Sequence, residues 1–261
     1  MFLAPVVLGA GCFTSSMTNE TPSPSPTTTP STTTGVQERN VNENGARGLY
    51  IVPEERNGKL PGIVVVHEWW GLNDYIKDEA RKLAAQGYAV FAADMYDGEV
   101  ATTSSRAGEL AGKIRGDLPA AQTKLKADLD FLAAQPEVDA NRLADLGWCF
   151  GGGMSALLGT SGDPRLKATV IYYGTPIPSD DALTRMKQPV LGIWGRDDQA
   201  IPVAQVTAFE QKLKAQGTPT EFHIYDGAGH AFANPTRGDA YRPAATADAW
   251  QKTLDFLDEN L

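Results

Sequence analysis

Residues 147–153 read GWCFGGG and set one of the chain's two cysteines, Cys149, among glycines. A thiolate attacks acyl carbon when a base can take the thiol proton and a third group orients that base. Three other stretches carry suitable groups: HEWWG (67–71), GRDDQAIP (195–202) and GAGHAF (227–232). Small residues around Cys149 permit a sharp strand-to-helix turn that pushes the side chain between them outward. This is the G-x-S-x-G elbow with cysteine in the serine position. A helix N-terminus behind the sulfur favours the thiolate. Taken alone, the stretch fits a buried cysteine beside close-packed glycines equally well.

The remaining acids and bases decide between these readings. Of three histidines, His223 lies inside an apparent strand and reads as structural or surface. His67 precedes Glu68 at a strand end, where it can hydrogen-bond locally. HEWWG lacks the second histidine of a zinc-binding H-E-x-x-H. His230 follows the last strand in a glycine-containing loop, the place of a general base in the chain order nucleophile, acid, histidine. In GRDDQAIP, Asp198 has the D-x-x-I-P spacing of the orienting acid and Asp197 is the fallback. The expected triad is Cys149–His230–Asp198, with Asp198 fixing the imidazole tautomer.

Such groups converge only if the elements deliver them to one edge. The runs 49–53, 62–68, 88–94, 142–147, 166–174, 189–195 and 222–227 read as strands. The runs 75–86, 121–135, 152–160, 203–216 and 244–260 read as helices. GIVVV, AVFAA and PVLGIW are continuously apolar, as strands of a parallel sheet covered on both faces are. The alternation predicts one α/β domain over 48–261, with a mostly parallel central sheet flanked by helices. Ligands of such sheets bind beyond the carboxyl ends of the strands. Cys149, Glu68, Asp198 and His230 all fall there.

The net charge of −9 argues against nucleic acid or an anionic membrane surface as partner. Two cysteines make no disulfide framework, and no apolar run is long enough to span a bilayer. MFLAPVVLGAGC (1–12) ends like a bacterial lipoprotein signal, with Cys12 as the lipidation candidate. It departs from that pattern in lacking a basic start and in the spacing of Leu8. Residues 13–47, rich in Pro, Thr and Ser, are expected to form a disordered tether. Export to a lipid-anchored or periplasmic site is the expectation; a cytoplasmic enzyme is the alternative.

On HEWWGLN (67–73), GYAVFAADMY (87–96), GWCFGGG, GRDDQAIP and GAGHAF, the chain from about residue 48 onward resembles the dienelactone hydrolase family of α/β-hydrolases. The resemblance implies the α/β-hydrolase fold and hydrolysis of small esters or lactones by Cys–His–Asp without a cofactor. It also implies that Glu68 meets the thiol in the resting enzyme and helps control its protonation. The oxyanion formed on attack needs donors, expected from the N–H groups of Phe150 and Trp69. Trp69 and Trp70 either shape an apolar pocket or pack in the core. The family's clamp for a substrate carboxylate uses arginines. Asn234 stands at one of those positions, Arg237 lies three residues on, and Arg106 is the counterpart of the other. A tethered binding module without turnover, or a thioesterase or peptide-directed hydrolase, is the alternative function.

Overall fold

A computed structural model describes residues 35–175 and 178–261. The lipoprotein-like segment with Cys12, and the tether as far as residue 34, lie outside the described residues. In chain order the elements are β1 (Val36–Glu43), β2 (Ala46–Pro53), β3 (Leu60–Val66), α1 (Asp74–Ala85), β4 (Ala89–Ala93), α2 (Ser104–Arg115), α3 (Leu118–Ala133) and β5 (Val138–Trp148). They continue with α4 (Phe150–Gly159), β6 (Leu166–Tyr172), α5 (Asp180–Leu183), β7 (Val190–Gly195), α6 (Val203–Ala215), β8 (Thr220–Tyr225) and α7 (Pro243–Asn260). A short 3-10 segment, Pro235–Ala240, precedes α7.

The eight strands form one sheet in the order β1-β2-β4-β3-β5-β6-β7-β8. From β4 to β8 all neighbours run parallel; β1 and β2 are antiparallel additions at one edge. The apolar runs behave as their composition requires. Ile63 and Val65 face one core with Ile76 and Leu83 of α1 and Phe256 and Leu257 of α7. Val64 and Val66 face the other with Leu125, Leu129 and Leu132 of α3 and Met154 and Leu158 of α4. Each side chain of that size contributes about 1.5–3 kcal/mol on burial.

The folded part starts earlier than the expected residue 48. β1 and the first residues of β2 fall within 36–47, which corrects the tether's boundary. The cause is a hairpin: Glu43 pairs with Ala46 across Asn44-Gly45, both with positive φ (53° and 84°). Asn-Gly suits that two-residue turn. Helix α2, which the sequence reading passed over, fills part of the β4–β5 crossover.

Strand order reverses between β3 and β5. The chain leaves β3 for β4 on one side and returns through α2 and α3 to β5 on the other. A crevice opens at such a point beyond the strand ends. His67–Glu68 and Cys149 stand there.

Candidate active site

β5 ends at Trp148, Cys149 makes the turn, and α4 begins at Phe150. Cys149 has φ 58° and ψ −115°, a region that costs a non-glycine residue of order 1–3 kcal/mol. Packing on all sides imposes it. A Cβ on Gly151 would lie 2.1 Å from the Val66 carbonyl oxygen, and one on Gly147 would lie 2.2 Å from the Gly151 oxygen. The Cys149 N–H donates to Tyr172 O at 3.0 Å, tying the elbow to β6.

The thiol then meets its partners. Cys149 Sγ is 3.1 Å from His230 Nε2, and His230 Nδ1 is 2.7 Å from Asp198 Oδ2. Asp198 Oδ1 accepts from the N–H groups of Ala200 (2.8 Å) and Ile201 (3.0 Å). Those two donors hold the acid, which is 3% exposed. Asp197 is exposed and donates its own N–H to Ala228 O. Of the two aspartates, the structure brings Asp198 to the imidazole.

Burial alone would depress the His230 pKa. The Asp198 hydrogen bond, the Cys149 sulfur and both their charges outweigh it and push it up to about 10. Burial pushes Asp198 upward, and the His230 contact with the two N–H bonds more than reverses that, leaving it below the usual carboxylate value. The arrangement therefore favours an imidazolium paired with the Asp198 carboxylate.

Glu68 sits in the same cavity as Cys149 and His230 but does not hydrogen-bond the thiol. Its Oε2 accepts from Asn234 Nδ2 at 2.8 Å. The amide orientation is fixed, because Asn234 Oδ1 accepts from the Thr236 N–H (2.9 Å) and hydroxyl (2.7 Å). Oε1 of Glu68 is buried without a partner, and the Tyr173 phenol approaches the carboxylate without reaching hydrogen-bond geometry. Burial raises the Glu68 pKa, against the opposing effects of Asn234, His230 and Arg237. The resting contact expected between Glu68 and the thiol is thus replaced by one to Asn234.

The cavity, about 240 Å3, is lined by Glu68, Trp69, Trp70, Cys149, His230 and Arg237, with Ala200 and Ala231. Trp69 and Trp70 meet edge to face at 5.1 Å, and the Arg237 guanidinium lies over the Trp70 ring at 5.8 Å. Among the described residues, neither the Trp69 nor the Phe150 N–H has a protein acceptor. Two expectations are corrected. Asn234 is 1% exposed and holds Glu68 rather than facing the cavity. Arg106 lies on the outer face of α2, where Glu99 and Glu109 take its guanidinium. A separate cavity of about 320 Å3, beside Arg47 and Val100, holds none of the reactive groups.

Tyr173 escaped the sequence reading. It is buried, and its ring meets the His230 ring edge to face at 5.3 Å. The sequence reading took all of LKATVIYYG as strand and so left Tyr173 inside it, whereas β6 ends at Tyr172 and Tyr173 stands just past it.

A mostly parallel, helix-covered sheet with this elbow over its strand ends is an α/β-hydrolase fold. Comparison with known proteins narrows the class. The chain belongs to the dienelactone hydrolase family, whose model matches residues 47–261. A Salmonella typhimurium protein named "Putative carboxymethylenebutenolidase" is 33% identical over 222 residues, covering 80% of each chain. "Protein usf" of Aquifex pyrophilus is 30% identical over 216 residues, covering 81% of this chain and 93% of its own. Among solved structures, one titled "m3DLH" matches with TM-score 0.82 and 31% identity, over 87% of this chain and 99% of the other. A dienelactone hydrolase-like promiscuous phosphotriesterase from metagenomic libraries matches with TM-score 0.80 and 29% identity, over the same shares.

Proposed function

We propose that this hydrolase cleaves small carboxylic esters or lactones through a covalent Cys149 thioester. The carrying observation is the unbroken series Cys149 Sγ–His230–Asp198 at 3.1 and 2.7 Å, on an elbow beside a cavity. The thiolate adds to the substrate carbonyl carbon, and the C=O electron pair moves to oxygen. The N–H groups of Phe150 and Trp69 hold that oxyanion. As the C=O re-forms, the C–O bond to the alcohol or ring oxygen breaks, and the His230 imidazolium protonates the leaving oxygen. Neutral His230 then takes a proton from water as the water adds to the thioester. Collapse expels the thiolate, leaving a carboxylic acid and the restored pair. Asp198 keeps the imidazole in the orientation both halves require. No step calls on a cofactor.

A cavity of about 240 Å3 walled by two tryptophans suits a small acyl group. Arg237 supplies the guanidinium at that cavity and is the residue to recognise a substrate carboxylate, with Arg106 facing away and Asn234 buried. The test is turnover of p-nitrophenyl acetate and of a dienelactone by wild type and Cys149→Ala. A loss of at least ~10³-fold supports the reading. Equal turnover makes Cys149 structural and favours the tethered binding module, and turnover of acyl thioesters alone favours the thioesterase. Lipid anchoring through Cys12 is part of the same proposal. Metabolic labelling with a palmitate analogue, comparing wild type with Cys12→Ser, tests it; equal labelling rejects it.

A further inference from the structure

His67 takes no part in the proton transfers above, yet it is fully buried beside Glu68 and against the Phe150 ring. Its Nε2 lies 3.2 Å from the Met95 backbone N–H. A backbone N–H only donates, so Nε2 must be the unprotonated nitrogen. The proton of the neutral ring is then on Nδ1, which lies 2.5 Å from the Glu68 carbonyl oxygen. Burial acts in the same direction, pushing the His67 pKa down to about 4. The ring is therefore a neutral donor to Glu68 O throughout the range in which a thiol hydrolase works.

The Glu68 carbonyl and the Trp69 N–H belong to one planar peptide unit. Fixing the carbonyl fixes the direction of the N–H, and polarising it strengthens the N–H as a donor. The Gly71 N–H reaches the same oxygen at 3.3 Å, so the unit is held from two sides. The other face of the arrangement is a stack. The His67 ring lies 5.7 Å from the Phe150 ring with only 20° between planes. Tyr96 closes the group edge to face at 4.6 Å from His67.

We propose that His67 is a positioning residue for the oxyanion hole, aligning the Trp69 N–H through the Glu68 carbonyl and the Phe150 N–H through ring stacking. The inference rests on the thiol-hydrolase reading, since an oxyanion hole matters only if Cys149 attacks a carbonyl. It predicts that losing His67 slows the steps that pass through an oxyanion and spares those that do not. Alkylation of Cys149 by iodoacetamide is a displacement at saturated carbon, with no oxyanion to stabilise.

The experiment compares His67→Phe, which keeps a stacking ring and removes the Nδ1 donor, with His67→Asn, which places an amide near the Nδ1 position. In His67→Phe, kcat for p-nitrophenyl acetate should fall about 10²-fold, with KM within about threefold and iodoacetamide alkylation within about twofold of wild type. His67→Asn should recover at least about tenfold of that loss. An unchanged kcat in His67→Phe, or turnover and alkylation falling together, overturns the proposal. A readout that needs no variant is the imidazole 15N–1H spectrum of wild type. It must show the Nδ1–H tautomer for His67, and an Nε2–H tautomer overturns the proposal by itself. The two readings fail separately. Undiminished turnover in Cys149→Ala removes the hydrolase mechanism, whereas undiminished turnover in His67→Phe with Cys149 still essential removes only the positioning role.

Discussion

Replacing Gly151 by alanine should disable the protein in a way a side-chain clash would not. The new Cβ would lie 2.1 Å from Val66 O, 2.6 Å from Val66 C and 2.6 Å from His67 O. Ordinary contact starts at 3.4 Å, so the elbow and the end of β3 must part by well over 1 Å. All three atoms are backbone, in or just past a strand paired on both sides by β4 and β5. No rotamer change relieves the overlap. Overpacking costs of order 1–3 kcal/mol, and rigid backbone puts this case at about 3. For a domain of this size, that lowers Tm by roughly 6–12 °C. The same movement separates Phe150 from Trp69, so kcat should drop about 10²–10³-fold. Scanning calorimetry and p-nitrophenyl acetate turnover read the two effects. The control is Gly108→Ala, in α2 with nothing within 4 Å of the new Cβ, which should stabilise by about 0.5–1 kcal/mol. A Gly151→Ala protein that melts within about 2 °C of wild type and turns over within threefold refutes the account.

His230 ring protons should titrate near pH 10 by NMR, because the folded pKa lies above the ordinary 6.5; a transition near 6.5 would contradict the ion pair. The stability this pair contributes is full below 6.5 and is lost as pH rises through about 10, and Asp198→Asn should flatten that alkaline fall. Burial raises the pKa of Asp128, fully buried in α3, to about 7, against Lys124 and the Arg47 N–H and with help from Asp94. Its ionisation therefore costs stability increasingly from its unfolded value near 3.8 up to about 7. Asp128→Asn should gain more stability at pH 8 than at pH 5, by about 3 kcal/mol, and equal effects in urea melts at both pH values would count against this. Arg237→Ala should raise KM for a carboxylate-bearing lactone about tenfold while leaving that for a neutral ester within about threefold. Equal changes for both substrates would remove its role in substrate charge recognition.

How much the sequence disclosed depended on whether the signal was local. The runs around Val64, Phe91 and Leu191 announced buried parallel strands because apolarity on both faces needs no partner to be recognised. Asp198 was separated from Asp197 by its spacing to Ile201 and Pro202, the turn that presents two N–H groups to one carboxylate. The β1 strand was hidden because VQERNVNE buries little besides Val41. An edge strand with one solvated face carries little hydrophobic pattern, and the Asn44-Gly45 turn was the available signal. The partner of Glu68 was hidden for another reason. Asn234 lies 166 positions away, and only the fold shows that its amide is pinned by Thr236. Arg106 misled because position along the chain says nothing of which helix face it occupies.

Each link of the thiol–imidazole–carboxylate series joins distant parts of the chain: 81 positions from Cys149 to His230 and 32 from His230 to Asp198. The sheet shares this remoteness, since Val66 pairs with Gly147. Hairpins such as β1–β2 close in about 1–10 μs, whereas parallel pairs must first close long loops. During refolding, helical signal should return before turnover of p-nitrophenyl acetate. During synthesis Cys149 emerges well before His230. A chain halted before β8 carries Cys149 without His230 and without the Ala231 and Arg237 walls of the cavity, so the series is assembled only with completion of the fold.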